Sequence, residues 1–317
     1  SMPLLAQFGG GDGSEQNPWI IADENHLLNI SFDGIYLNDF FIQTADINLT
    51  ELLQPWEPIG DIINPFTGHY DGDGYKISSL CIEVPDDPYF YTYTGLFGYI
   101  HFATIKNVKL QDICVNGTGY VGSLVGYSSF SYLENCSSCG GSIYDVGPYT
   151  GGLVGYNDSG SILKSYTNAN LQVTGVDYVG GLVGYNNGGY LGNCYSRSEV
   201  AGDNWVAGLG ARQSNGFIDQ CYAAGYVNGL LFTGGLVGYN GPTRNSVTNS
   251  YWDEDTTGQL YSDGGERRTT EEMPTPMLKT PMSVGILITM SLSGLMIIQA
   301  LSTTVIRFYP HLTIGKR

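Results

Sequence analysis

Gly152-Leu153-Val154-Gly155-Tyr156 and Gly181-Leu182-Val183-Gly184-Tyr185 are one phrase written twice, 29 residues apart. Flanking copies are Gly95-Leu96-Phe97-Gly98-Tyr99, Ser123-Leu124-Val125-Gly126-Tyr127 and Gly235-Leu236-Val237-Gly238-Tyr239, with a degraded copy at Gly208-Leu209-Gly210-Ala211-Arg212. Aligned on the leucine, the steps are 28, 29, 29, 27 and 27 residues. A fixed period of this size marks a repeat architecture, in which each unit buries its apolar face against the next.

A second phrase follows each first one: Ile105-Lys106-Asn107-Val108, Leu133-Glu134-Asn135-Cys136, Ile162-Leu163-Lys164-Ser165, Leu191-Gly192-Asn193-Cys194, Ile218-Asp219-Gln220-Cys221 and Val247-Thr248-Asn249-Ser250. Tyr166, Tyr195, Tyr222 and Tyr251 come directly after four of them, and a third short strand follows, as at Leu171-Gln172-Val173. Gly, Asn, Asp and Ser fill the gaps, as turns require. Helices would need longer runs at a 3.6-residue period, which this density of glycine forbids. The spacing therefore predicts an all-β chain, a right-handed parallel β-helix (β-solenoid) with coils of about 28 residues. The hand follows from the usual sense of parallel β-crossovers. Ala22 to Ile30 reads as a short N-terminal capping helix, which would shield the first open strand edges.

These phrases resemble the GLUG-motif repeat family of bacterial secreted and surface proteins, over roughly Asn17 to Met273. Pro65 to Ile77 is similar to the segment that precedes the repeats in that family, and Ser250 to Gly258 with Glu271-Glu272-Met273 to its closing stretch. The resemblance implies export, a β-helix, and a place in adhesin-like proteins or beside immunoglobulin-cleaving peptidases. It implies no activity of the repeats themselves.

Four segments are expected: 1–16, an N-terminal stub or signal-peptide remnant; 17–92, the cap and first irregular coils; 93–273, about six GLUG-type coils; and 274–317, an anomalous apolar tail. No charge occurs from Thr280 to Ile306, and Ser283 to Ile306 is long enough to cross a bilayer. The tail is either a membrane anchor, with Arg307, Lys316 and Arg317 inside, or the product of a frameshift that displaced the family's usual ending.

Charged residues make up only 14% of the chain, well below the usual quarter, and the formal net charge is −17. A phosphate backbone is repelled by such a field, so no nucleic-acid partner is expected. Stacked coils place like residues over like. Tyr99, Tyr127, Tyr156, Tyr185 and Tyr239 thereby form a ladder, interrupted by Arg212, and these six are the candidate ligand-binding residues. They form an exposed strip if the leucine points inward, and core if valine and tyrosine do. Arg212 between two aromatic faces has a structural reading, cation–π filling, and a functional one, a site for a carboxylated ligand.

Cys136, Cys194 and Cys221 alternate with Ser165 and Ser250 at one repeat position, the pattern of small side chains stacked inside a coil. Cys136 and Cys139 form a lone CxxC, too little for a metal site. Asp71-Gly72-Asp73 and Asp253-Glu254-Asp255 lack a calcium-loop continuation and are read as turn chemistry. No metal or other cofactor is expected, and no catalytic motif stands out. The sequence reading is a chain that is not an enzyme: an extracellular or cell-surface scaffold, adhesin-like, binding a glycan or a protein, with a membrane partner only if the tail is an anchor. The alternatives are a β-helix polysaccharide-degrading enzyme, lyase or glycoside hydrolase, and a passive spacer between other domains.

Overall fold

In the computed structural model, residues 7–31, 34–52, 56–84, 91–241 and 246–273 are described, together with the backbone of Gly285–Met290 and Met296–Leu301. The chain divides into two units, Ser1–Glu271 and Glu272–Arg317. The first is a parallel β-solenoid of about seven turns, with two short helices among the described residues. The repeated phrase supplies one face, a six-stranded sheet of Phe97–His101, Val125–Ser129, Val154–Asp158, Val183–Asn187, Gly210–Ser214 and Val237–Asn240. The second phrase supplies strands of a nine-stranded sheet, and the segments between them build a seventeen-stranded one.

Register follows the repeat. The Leu153 amide donates to the Leu182 carbonyl at 2.9 Å, and both side chains are fully buried. Val154 and Val183, which are Cα partners, are buried as well, because the chain bends at each leucine before entering the strand. The following glycine is needed for close approach: a Cβ on Gly155 would lie 2.6 Å from the Val121 amide nitrogen and 2.7 Å from the Gly126 carbonyl oxygen.

The asparagine of the second phrase is explained by its backbone. Asn107, Asn135, Lys164, Asn193, Gln220 and Asn249 all turn a corner at positive φ, between 46° and 56°. Asparagine tolerates that region better than other side chains bearing a Cβ. The residue after it points into the coil. The Cys136 amide donates to Ser165 Oγ (3.1 Å), the Cys194 amide to Cys221 Sγ (3.3 Å) and the Cys221 amide to Ser250 Oγ (3.0 Å). Each of these side chains in turn donates to the carbonyl two residues back, as Ser165 Oγ does to Leu163 (2.8 Å) and Cys194 Sγ to Gly192 (3.4 Å). Thiol and hydroxyl are interchangeable here because either can accept one bond and donate another. Burial pushes the Cys136 thiol up to about 12, which keeps its donor proton in place.

The N-terminal helix is Glu24–Asn29, within the expected stretch, with Asp23 as its N-cap accepting from the His26 amide at 2.9 Å. Its Leu27 is fully buried. The stub expected over 1–16 needs correction for the described residues 7–16. Phe8 is buried against Trp19, Tyr36 and Phe41, and the Gly9 amide donates to the Ile20 carbonyl, so this stretch is fastened to the first coil and contributes Phe8 to the core. Residues 1–6 lie outside the described residues. At the other end Asp253 caps the helix Glu254–Thr257, accepting from the Asp255 and Thr256 amides, and Asp71 Oδ1 accepts from the Asp73 amide. Both acidic stretches thus work as backbone caps.

In the second unit Gly285–Met290 and Met296–Leu301 pair antiparallel, with Gly285 opposite Leu301. The remainder of the expected span at 283–306 lies outside the described residues. Among the described residues no helix is long and apolar enough to cross a membrane.

Two outcomes follow. Asn193→Gly should leave the unfolding midpoint near wild type, while Asn193→Val should cost about 1–2 kcal/mol, because a branched side chain is strained at this φ. Equal stability of the two variants in urea would contradict the corner assignment. Asp145 is fully buried, and burial raises its pKa above 3.8 despite hydrogen bonds from the Gly119 and Gly147 amides and Thr150 Oγ1. The folded state therefore holds this proton more tightly than the unfolded one. Stability should fall as pH rises from 3.8 through the raised folded value. Asp145→Asn should lack that component in urea titrations across the window, and an unchanged pH slope would refute it.

Candidate binding strip

The six-stranded sheet aligns the predicted ladder residue by residue. Tyr99 pairs with Tyr127, Tyr127 with Tyr156, Tyr156 with Tyr185, Tyr185 with Arg212, and Arg212 with Tyr239. All six are partly exposed, Tyr239 the most at 38%. The strip is thus neither free surface nor core. The bend at each leucine breaks the simple alternation on which the sequence reading turned.

A second aromatic row lies beside the first, and sequence reasoning missed it. Tyr93, Tyr120, Tyr149, Tyr178, Trp205 and Phe232 stack in succession with ring centroids 5.1, 5.1, 5.3, 4.7 and 5.3 Å apart. In the first row Tyr99, Tyr127 and Tyr156 stack at 4.9 and 4.8 Å with interplanar angles of 5°. Between rows the contacts are edge to face over the first three coils, Tyr93 with Tyr99 at 88°, Tyr120 with Tyr127 at 76° and Tyr149 with Tyr156 at 85°, whereas Tyr185 lies near-parallel to Tyr178 at 21°. Such pairs contribute roughly 0.5–1.5 kcal/mol each beyond burial. They also decide what the strip can do. Along the second row, and over Tyr99, Tyr127 and Tyr156 in the first, the rings cover one another's faces, so a ligand lying across them meets ring edges and phenol hydroxyls.

The signal for the second row was an aromatic residue four positions before the leucine in five copies, displaced to three in the first. Its backbone is unusual. Tyr178, Trp205 and Phe232 have φ of 49°, 51° and 53°, a region that costs a bulky residue roughly 1–2 kcal/mol. The stacking offsets part of that cost.

Arg212 fills its gap in the first row by cation–π contact, with its guanidinium carbon 4.8 Å from the Tyr185 ring centroid, 5.6 Å from Tyr239 and 5.4 Å from Tyr178. It also donates to the Tyr178 hydroxyl at 3.1 Å. Tyr127 donates weakly to Asp158 (3.4 Å) and Tyr185 to Ser214 Oγ (3.2 Å). Behind the first row runs a buried amide ladder. Asn157 Nδ2 donates to Asn186 Oδ1 (2.7 Å), and Asn186 Nδ2 to Gln213 Oε1 (2.6 Å). Each asparagine also donates to a turn carbonyl, Gly160 or Gly189, so the wall carrying the strip is fastened from coil to coil.

Burial raises the phenol pKa of Tyr120 to about 12 and those of Tyr127 and Tyr156 further, where Asp158 adds to the effect. These phenols are neutral hydroxyls at any physiological pH.

No family model matches the chain. It is 38% identical over 140 residues to a protein of Evansella cellulosilytica provisionally named a Gly-rich membrane protein, a match covering 41% of this chain and 15% of that one. It is 30% identical over 276 residues to halomucin of Haloquadratum walsbyi, covering 80% of this chain and 3% of that protein. The chain therefore spans only a small part of the relatives it matches. Among solved structures, a provisionally named immunoglobulin A1 protease from Bacteroides ovatus is similar with a TM-score of 0.71 at 20% identity, over 92% of this chain and 95% of that one. A structure named IgA1 protease is similar with a TM-score of 0.56 at 18% identity, over 78% and 21%. These likenesses establish the fold. They also correct the expectation that the chain is not an enzyme: the same coil occurs in structures bearing protease names, so a lack of familiar catalytic motifs does not exclude enzymatic activity.

In an alkaline titration followed by phenolate absorbance, Tyr120, Tyr127 and Tyr156 should stay protonated at pH 10, where free tyrosine is half ionised. Because the folded state holds these protons more tightly, stability should fall as pH rises above 10. Ionisation of all three at the free value would refute the packing described.

Proposed function

We propose that this chain is the solenoid segment of a larger extracellular surface protein, and that its tyrosine strip binds a hydroxyl-rich polymer, a glycan. The observation that carries the proposal is the herringbone of two rows. It spends ring faces on internal stacking and presents neutral phenols, which both donate and accept, along one fastened wall. A polysaccharide offers matching hydroxyls in series. Arg212, the cation of the strip, is suited to an occasional carboxylate on such a polymer. The names of the relatives, a membrane protein and halomucin, support a surface setting. We read the repeats as GLUG-type on the phrases themselves, which occupy equivalent places in successive coils.

A second reading is favoured by the names of the fold neighbours. Here the same strip would hold the substrate of a peptidase.

The two readings separate experimentally. On a glycan array the protein should be retained, and Tyr120→Phe with Tyr156→Phe should weaken retention by about fivefold per hydroxyl, since one such bond contributes about 1 kcal/mol. Phenylalanine keeps the stacking, so the loss would report on hydroxyls and not on folding. Absence of retention, or equal retention by the phenylalanine variants, would overturn the glycan reading. Fragmentation of immunoglobulin A1 on incubation with the full chain would establish the second.

A further inference from the structure

Cys81 and Cys114 occupy the same outer position on adjacent coils. They are direct Cα partners in the parallel pairing of Cys81–Glu83 with Lys109–Gly117. The next residues, Ile82 and Val115, are buried, so both thiols project from the outer face, Cys81 exposed and Cys114 partly so. Further along, the same ladder carries Ser142, Gln172 and Glu199, all exposed. Burial, and after it the neighbouring Cys114 thiol, raise the Cys81 pKa.

We infer that Cys81 and Cys114 are a modification site, a reversible disulfide that ties two coils together across their outer face. Paired residues on parallel strands have Cα atoms about 4.8 Å apart, inside the range that disulfides span. Closing the bond requires the two Cβ atoms to draw in by about 1 Å. Among the described residues the three-residue strand Cys81–Glu83 pairs only along this ladder, and it leaves a corner at Ser79 with φ of 60°, so it can make that shift. The other cysteines are placed differently. Cys136, Cys194 and Cys221 are buried, with their thiols donated to backbone carbonyls, and Cys139 is paired in the ladder with Gln111.

The chemistry balances as thiol–disulfide exchange. The two S–H bonds of Cys81 and Cys114 break and one S–S bond forms. Two electrons and two protons pass to a disulfide oxidant, such as oxidised glutathione or an oxidoreductase in its disulfide form, which leaves as two thiols. An exposed bond of this kind is readily reduced again, so the clamp would follow the redox state of its surroundings.

The test uses the full chain. After incubation with oxidised glutathione, thiols counted in denaturant should fall from six to four, and a peptide map should join Cys81 to Cys114, reversibly with dithiothreitol. Cys114→Ser should form no internal link and carry Cys81 as a mixed disulfide with glutathione. Six remaining thiols in the wild type, or a link between another pair such as Cys194 and Cys221, would overturn the inference.

Discussion

The structure depends on one constraint, that parallel strands of successive coils pair in register. A change of one residue in strand alignment would send every inward side chain outward. The repeat therefore keeps its steps near 28 residues and takes up the differences of a residue or so in turns between strands. Leu153 over Leu182, both without solvent contact, is that constraint in its simplest form.

Stacking like on like also governs the chemistry of the surface. In a globular enzyme, side chains of different kinds converge on a point. Here a residue type is extended into a line, and the line first satisfies itself. Tyrosines cover one another's faces, asparagines donate to the next asparagine, and thiols accept the amide of the coil before. What is left over for a ligand is the part of each side chain that its copy cannot reach: a ring edge, a phenol hydroxyl, or the free positions around Arg212. The strip's character follows from this leftover chemistry, as does the contrast between the internal cysteines and the outward pair at 81 and 114.

Much of this was legible before any coordinates. The phrase carried by Leu153 and Leu182 specified coil, sheet and register, and the alternation of cysteine with serine pointed to buried stacking. The reason for that alternation, an accepted amide and a donated proton at one corner, needed the geometry. The second aromatic row was present in the letters but obscured by its mixed identity and by a one-residue displacement in the first copy. Its left-handed backbone at Tyr178, Trp205 and Phe232 goes against ordinary residue preference, which is why no propensity argument finds it. The burial of Phe8 was hidden because nothing local to Gln7-Phe8-Gly9 announces a partner; its neighbours Trp19, Tyr36 and Phe41 come from later segments. Enzymatic activity was set aside on missing motifs, an inference that a shared fold with named proteases shows to be too strong.

The most direct test of the stacked-coil account is nuclear magnetic resonance on protein with selectively labelled tyrosine rings, assigned through single Tyr→Phe variants. Neighbouring rings with centroids 4.8 and 4.7 Å apart should give cross-relaxation between Tyr127 and Tyr156 and between Tyr156 and Tyr185, with none between Tyr127 and Tyr185, two coils apart. Cross-peaks joining Tyr127 directly to Tyr185, or none between Tyr127 and Tyr156, would contradict it.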